Sequence, residues 1–263
     1  MVFFGVKSMV SVLIKKAIEM ADLAREISVK NFRRELSLFN KLDDSPVSNI
    51  DIEIERTLYQ FIARESSDFG YLGEELGDIN RDSSYKWIID PIDGTSSFVS
   101  GKPTFCTLIS LLFEGSPILG VIDQPISGER WIGEKGQATK FNSKTIKLSA
   151  PNTNYLRLAC TTPFMFSVDE YRVFERLSKF CDVTSFGGDA YNYGLLSLGH
   201  IDIILESDLK FYDVAALVPI VEGSGGCITT WKGESINIET FDGRVVATAP
   251  GRNHKQILYQ IQF

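Results

Sequence analysis

Ile14, Ala17, Ile18, Ala21, Ala24 and Ile27 recur three and four residues apart, while Lys15, Lys16, Glu19, Asp22 and Arg25 fill the positions between them, so residues 11–31 form an amphipathic helix. A polar loop follows. At its end Ser48 is placed to cap a second helix and Asp51, three residues on, to complete a capping box, with Ile54, Leu58, Phe61 and Ile62 on the buried face. The pattern then becomes that of strands. An apolar run from Trp87 delivers Asp90, where Pro91 stops it. Segments 104–114, 118–123 and 130–133 are broken by Gly-Ser-Pro and Pro-Ile-Ser-Gly, which predicts an antiparallel run. Beyond a junction around 150–154, strands at 155–161, 182–185, 201–206, 226–230 and 244–248 alternate with helical patterns at 168–180, 189–198, 212–222 and 251–261. The chain is α/β, with no internal repeat and no low-complexity tract.

Composition narrows the classes. With 263 residues the chain is long enough for one large unit or two closely packed halves. A net charge of -7 disfavours a nucleic-acid partner, because neutralising a duplex needs clustered Lys and Arg. Cys106, Cys160, Cys181 and Cys227 are widely spaced without a Cys-x-x-Cys pair, which argues for reduced thiols and against a zinc ribbon. No run approaches the roughly 20 apolar residues of a membrane span. The apolar first residues lack a charged leader and a cleavage site, so a cytoplasmic location is expected, with Met9 a second possible start.

The chemistry gathers around Trp-Ile-Ile-Asp-Pro-Ile-Asp-Gly-Thr-Ser (87–96). Asp90 and Asp93 stand close together at a strand end, and partly buried like charges cost free energy unless a cation or donors lie between them. A divalent metal suits that space. Gly94 and Thr95 can then open a helix whose first amides favour an anion such as phosphate. Taken alone, Asp-x-x-Asp reads better as an ordinary turn with an Asp cap. The same holds elsewhere: Asp43 and Asp44 fit solvated loop charges, Glu74 and Glu75 an acidic turn in the Gly-flanked loop 70–77, and Asp189 and Asp213 helix caps.

Together these strings resemble the inositol monophosphatase family. Asp-Pro-Ile-Asp-Gly-Thr matches its signature, Lys-Leu-Asp-Asp-Ser-Pro-Val-Ser (41–48) its loop segment, Gly-Glu-Glu (73–75) its acidic element, and Tyr-Asp-Val-Ala-Ala (212–216) its last acid, all in the family's order. The resemblance implies a layered αβαβα fold. It implies one catalytic unit over 1–263, with metal and phosphate motifs in a half spanning roughly 1–150 and the last metal Asp and substrate elements in 151–263, and commonly a homodimer. It implies a Mg²⁺-dependent phosphomonoesterase with two or three ions acting on a small phosphorylated metabolite. Glu74, Asp90 and the carbonyl of Ile92 would hold one ion, and Asp90, Asp93 and Asp213 a second. Gly94 and Thr95 would receive phosphate oxygens, and Thr95, bonded to Asp43, would orient the attacking water. Oxygen ligands suit Mg²⁺, and the chain offers only His200 and His254 for a metal that prefers nitrogen. Asp-Gln-Pro-Ile (123–126), Glu-Arg-Trp-Ile-Gly (129–133) and Gly-Gly-Asp-Ala-Tyr (187–191) look most like the histidinol-phosphate phosphatase branch, although Ser96 stands where that branch often has Lys. Asp189 and Glu206 would then meet the cationic substrate. The alternatives are an inositol monophosphatase or broad small-substrate phosphatase and, in another class, a non-catalytic metal-binding regulator.

Overall fold

The computed structural model describes residues 2–40, 46–65, 68–80, 82–146, 148 and 154–262. In chain order the first half comprises α1 (Val2–Asn31), β1 (Leu38–Asn40), β2 (Pro46–Ser48), α2 (Asn49–Glu65), β3 (Gly70–Gly73), β4 (Gly77–Ile79), β5 (Tyr85–Asp93), α3 (Thr95–Val99), β6 (Cys106–Phe113), β7 (Ser116–Gln124), β8 (Glu129–Glu134), β9 (Lys140–Phe141) and β10 (Lys144–Thr145). The remainder comprises β11 (Arg157–Cys160), α4 (Val168–Phe180), β12 (Val183–Phe186), α5 (Asp189–Ser197), β13 (Ile203–Glu206), α6 (Phe211–Val214), α7 (Leu217–Gly223), β14 (Cys227–Thr229), β15 (Val245–Thr248) and α8 (His254–Ile261).

Two sheets dominate. One has eight strands in the order β10-β9-β8-β7-β6-β5-β3-β4, the other five in the order β12-β11-β13-β15-β14. Strand side chains alternate between faces, and β5 shows how this builds layers. Trp87 and Ile89 pack with Ala17, Met20 and Ala24 of α1 and with Ile54 and Leu58 of α2, whereas Ile88 turns to the opposite face, toward Leu196 of α5 and Leu217 and Ile220 of α7. That inner helix layer also meets Ile204 and Ala247 of the second sheet. Leu158, Ile203 and Val246 face the other way, onto Phe174 of α4 and Ile257 of α8. The order is therefore helix, sheet, helix, sheet, helix, the αβαβα arrangement expected. Full burial of each large apolar side chain contributes about 1.5–3 kcal/mol.

Helix α7 lies directly on the first sheet because two strand positions have no side chain. A Cβ on Gly120 would stand 2.0 Å from the Ala216 carbonyl oxygen, and one on Gly133 would stand 2.4 Å from the carbonyl carbon of Pro219. On the opposite face α1 is clamped by charge: fully buried Asp123 of β7 accepts from Arg25 Nη2 at 2.6 Å and from Arg130 Nε of β8. No helix among the described residues is long and apolar enough to cross a membrane.

Several local expectations need correction. Pro91 does not stop β5: the strand runs on to Asp93 through a bulge. Residues 70–77 are not simply a loop but strand β3, a tight turn and the start of β4. The single helix expected at 212–222 is two, α6 and α7. Helix α1 begins well before residue 11, and α8 starts only at His254, where the Asn253 side chain accepts from Gln256 N. The expected junction at 150–154 lies almost entirely outside the described residues.

Candidate active site

The bulge in β5 makes the site. Residues three apart on a regular strand point to opposite faces, so Asp90 and Asp93 would be separated by the sheet. In the pairing with β6, Asp90 lies opposite Leu108 but Asp93 opposite Cys106, which is one extra residue on β5. That insertion returns Asp93 to the face of Asp90. Pro91 suits the bulge because it has no N–H to pair, and its carbonyl accepts from Thr107 Oγ1 at 2.8 Å. Gly94 follows at φ 85°, a left-handed turn into α3, and a Cβ there would stand 2.7 Å from Asp189 Oδ2.

Two other acids arrive by different routes. β3 is parallel to β5, with Gly73 opposite Ile89, and the Glu74 amide donates to the Ile89 carbonyl, so Glu74 and Asp90 leave adjacent parallel strands side by side. Asp213 sits in the first turn of α6, where its Oδ2 accepts from Lys210 N at 2.7 Å. One oxygen from each of Asp90, Asp93 and Asp213 lies within 4.8 Å of the others. The carboxylates of Asp90, Asp93 and Asp213 are raised by burial first and by neighbouring acids second. Asp90 and Asp93 stand well above the usual range and Asp213 is pushed up to about 8. Asp90 Oδ1 is buried without a hydrogen-bond partner. Clustered hard oxygens, mutual repulsion and an orphaned buried lone pair fit a divalent cation such as Mg²⁺.

Every site residue expected from the sequence except Asp43 lines one cavity of about 160 Å³: Glu74, Asp90, Ile92, Asp93, Gly94, Thr95, Asp189, Glu206 and Asp213. Asp43 lies outside the described residues. Among the described residues the carboxylate that meets Thr95 is Asp51, whose Oδ1 is 3.2 Å from Thr95 Oγ1, while the Ile92 carbonyl is 3.1 Å from the same hydroxyl. The cap expected at Ser48 and Asp51 forms in part, Asp51 Oδ2 accepting from Ser48 N at 2.9 Å and from Ser48 Oγ, while Ser48 Oγ accepts from Ile50 N at 3.2 Å, one residue short of the expected box. Burial leads the upward shift of its carboxyl, partly opposed by the Ser48 bonds. One hydroxyl proton serves one acceptor at a time, so Thr95 keeps lone pairs for a water.

The second half closes the far side. Gly187, Gly188 and Asp189 all take positive φ, and the Ala190 amide that follows donates to Asp93 Oδ2 at 2.6 Å. This ties α5 to the first sheet. Asp189 is pushed up to about 6 by burial and then by Glu206, against the pull of its bond to Ser97 and of Lys102. Glu206 is differently placed: it is buried and already accepts from Thr161 N at 3.1 Å, Thr161 Oγ1 and Tyr193 OH at 2.7 Å. Sequence reasoning gave no role to Thr161, Tyr193 or the Ala190 amide. Only Asp51 carried a visible signal, as a cap.

A family model described as "Inositol monophosphatase family" matches residues 8–263. The chain belongs to the inositol monophosphatase family. Within it, the chain is similar to the "Bifunctional phosphatase IMPL2, chloroplastic" of Arabidopsis thaliana, at 40% identity over 253 residues that make up 93% of this chain and 73% of the relative. It is also similar to a "Histidinol-phosphatase" of Chlorobaculum parvum, at 34% identity over 90% of this chain and 93% of the relative. Among solved structures, an inositol monophosphatase from Zymomonas mobilis superposes with a TM-score of 0.87 at 38% identity, covering 96% of this chain and 98% of that one. Inositol monophosphatase family membership makes the chain a phosphatase of small phosphorylated compounds.

Proposed function

We propose that this phosphatase hydrolyses histidinol phosphate in a Mg²⁺-dependent reaction by direct attack of water on phosphorus. The observation that carries the substrate reading is Asp189, an acid lining the same cavity as the Asp90, Asp93 and Asp213 cluster and packed so close to Gly94 that a Cβ there would stand 2.7 Å from its Oδ2. A cationic amine entering there gains a charge-assisted bond to the carboxylate, whereas the hydroxyls of a neutral ring offer it only weaker, uncharged donors. The names of the Chlorobaculum relative and of others in the family support this reading.

Glu74, Asp90 and the Ile92 carbonyl would hold one Mg²⁺, and Asp90, Asp93 and Asp213 another. When bound, such ions supply positive charge that acidifies water and stabilises the leaving oxygen. The chain's own groups do the rest. Asp51 orients the Thr95 hydroxyl, which leaves an acceptor for one proton of the attacking water. The amides of Gly94 and Thr95, at the opening of α3, receive phosphate oxygens. Glu206 keeps Thr161 and Tyr193 in place and retains room for one further donor, since a carboxylate has about four acceptor positions.

A second reading, inositol monophosphatase, is favoured by the name and close superposition of the Zymomonas structure. Phosphate release from histidinol phosphate and from inositol 1-phosphate, each with Mg²⁺ and after chelation, separates the two. Higher kcat/KM on inositol phosphate rejects the histidinol reading, and undiminished release without metal rejects the metal reading. For assembly, the homodimer reading is supported by exposed large apolar side chains in the second half, Phe164, Val168 and, on edge strand β12, Phe186, which are 93%, 73% and 56% exposed. Sedimentation as a monomer at micromolar concentration would remove it.

A further inference from the structure

Helix α2 carries a second buried acid one turn beyond Asp51. Glu55 is fully buried, and its carboxylate does not reach the cavity. It faces the turn between β3 and β4. Its Oε2 accepts from Glu75 N at 2.7 Å, and its Oε1 accepts from Leu76 N at 2.9 Å and from Tyr71 OH at 2.9 Å. Within so tight a hairpin these amides have no strand partner, and buried N–H groups require one. The fit continues at Gly73, where a Cβ would stand 1.8 Å from Glu55 Oε1, so the carboxylate is packed against the backbone of the hairpin itself.

Glu74 is therefore held from both sides. Its own amide donates to Ile89 of β5 on one side, and the next two amides are gathered by Glu55 on the other. We infer that Glu55 is a positioning residue: by fixing the 74–76 turn it aims the Glu74 carboxylate at the Asp90, Asp93 and Asp213 cluster. One face of one helix then sets two parts of the site, Asp51 holding the Thr95 hydroxyl and Glu55 holding the Glu74 turn, four residues apart and so stacked along the helix. This rests on the proposed reading of Glu74 as a metal ligand.

The test is titration calorimetry of metal-free protein with Mg²⁺ alone, beside phosphate-release kinetics. Glu55→Gln keeps the shape but sets an NH₂ against a backbone N–H, so one turn amide is released. Mg²⁺ affinity is expected to fall about tenfold or more, with kcat reduced and KM at saturating Mg²⁺ changed far less, in line with the loss typical of groups that orient metal ligands. Glu55→Asp keeps the charge but not the reach and is expected to fail equally, which a purely electrostatic role would not predict. Tyr71→Phe removes the third donor without touching the turn and is expected to lose thermal stability while binding Mg²⁺ within about twofold of wild type. Should Glu55→Gln not fold, Gly73→Ala takes its place, because its Cβ displaces the carboxylate with every charge intact. Wild-type Mg²⁺ affinity in a folded Glu55 or Gly73 variant overturns the inference. Unchanged affinity in Glu74→Gln would instead overturn the ligand reading on which it rests.

Discussion

The Thr95 hydroxyl stands 3.2 Å from Oδ1 of Asp51, while the other oxygen of that carboxylate is bound by the amide and hydroxyl of Ser48. A helix cap and the hydroxyl proposed to orient the attacking water thus share one side chain. Asp51→Asn should lower kcat by about 10²–10⁴-fold, the range for a group that positions or moves a proton, with little change in KM. Ser48→Ala should cost about 1 kcal/mol of stability through the cap while leaving most of the turnover. Adding Thr95→Ala to Asp51→Asn should cost little more than either alone. Additive losses would show that the two side chains act separately.

The metal-free protein should lose stability as pH rises. The folded carboxyl of Asp213, at about 8, is raised above its ordinary 3.8 by burial and then by Glu74. Between those values the unfolded chain releases a proton that the fold retains, so the contribution of this carboxyl to stability is fully present below about 4 and declines progressively toward pH 8. Asp90 and Asp93, raised in the same direction, add to the decline. Mg²⁺ should reverse it and release protons on binding. A melting temperature for chelated protein that climbs between pH 5 and 8, with other buffer conditions constant, would contradict this.

Asp189→Asn should narrow the preference for histidinol phosphate. The amide is nearly isosteric and removes the charge that meets the amine. The loss should fall on kcat/KM for the cationic substrate, by about tenfold or more, and spare inositol phosphate. Equal losses on both substrates would make Asp189 a structural anchor of the α5 turn instead.

Glu170 governs acid stability outside the site. Burial raises its carboxyl, but the Arg244 guanidinium at 2.6 Å, the Ser167 amide and hydroxyl and the Ser207 hydroxyl outweigh burial and bring it to about 2. The sign is the ordinary one for a depressed carboxyl: full contribution above its usual 4.5, loss as pH falls from there toward 2. Glu170→Gln should lower the melting temperature at pH 7 and flatten its acid limb. An unchanged acid limb would place that titration elsewhere.

Much of the site was legible because its chemistry is local. Asp90, Asp93, Gly94 and Thr95 lie within one six-residue stretch, and their spacing carries meaning without coordinates. The bulge was not legible, since alternation cannot say which residue of Asp-Pro-Ile-Asp is the extra one, and Pro91 therefore read as a stop. Asp51 showed only its partner three residues back, because its second partner lies 44 residues away. Thr161 and Tyr193 close on Glu206 across separations of 45 and 13 residues, which leave no periodic trace. The strand β3 escaped for a related reason: it is four residues with glycine at both ends, and its register comes from β5 rather than from its own composition.

Gly120 and Gly133 hold no proton and do not line the cavity, yet they set how deep α7 sits on the sheet. Asp213 is the acid that enters the cluster just before that helix, so any side chain on either glycine lifts the helix and acts as a lever on the acid. Thickness between layers is thus a tuned dimension of the catalyst. A screen for activity across this chain should find two deep intolerant spots on strands that do not line the cavity, where a single added methyl is felt as a misplaced carboxylate.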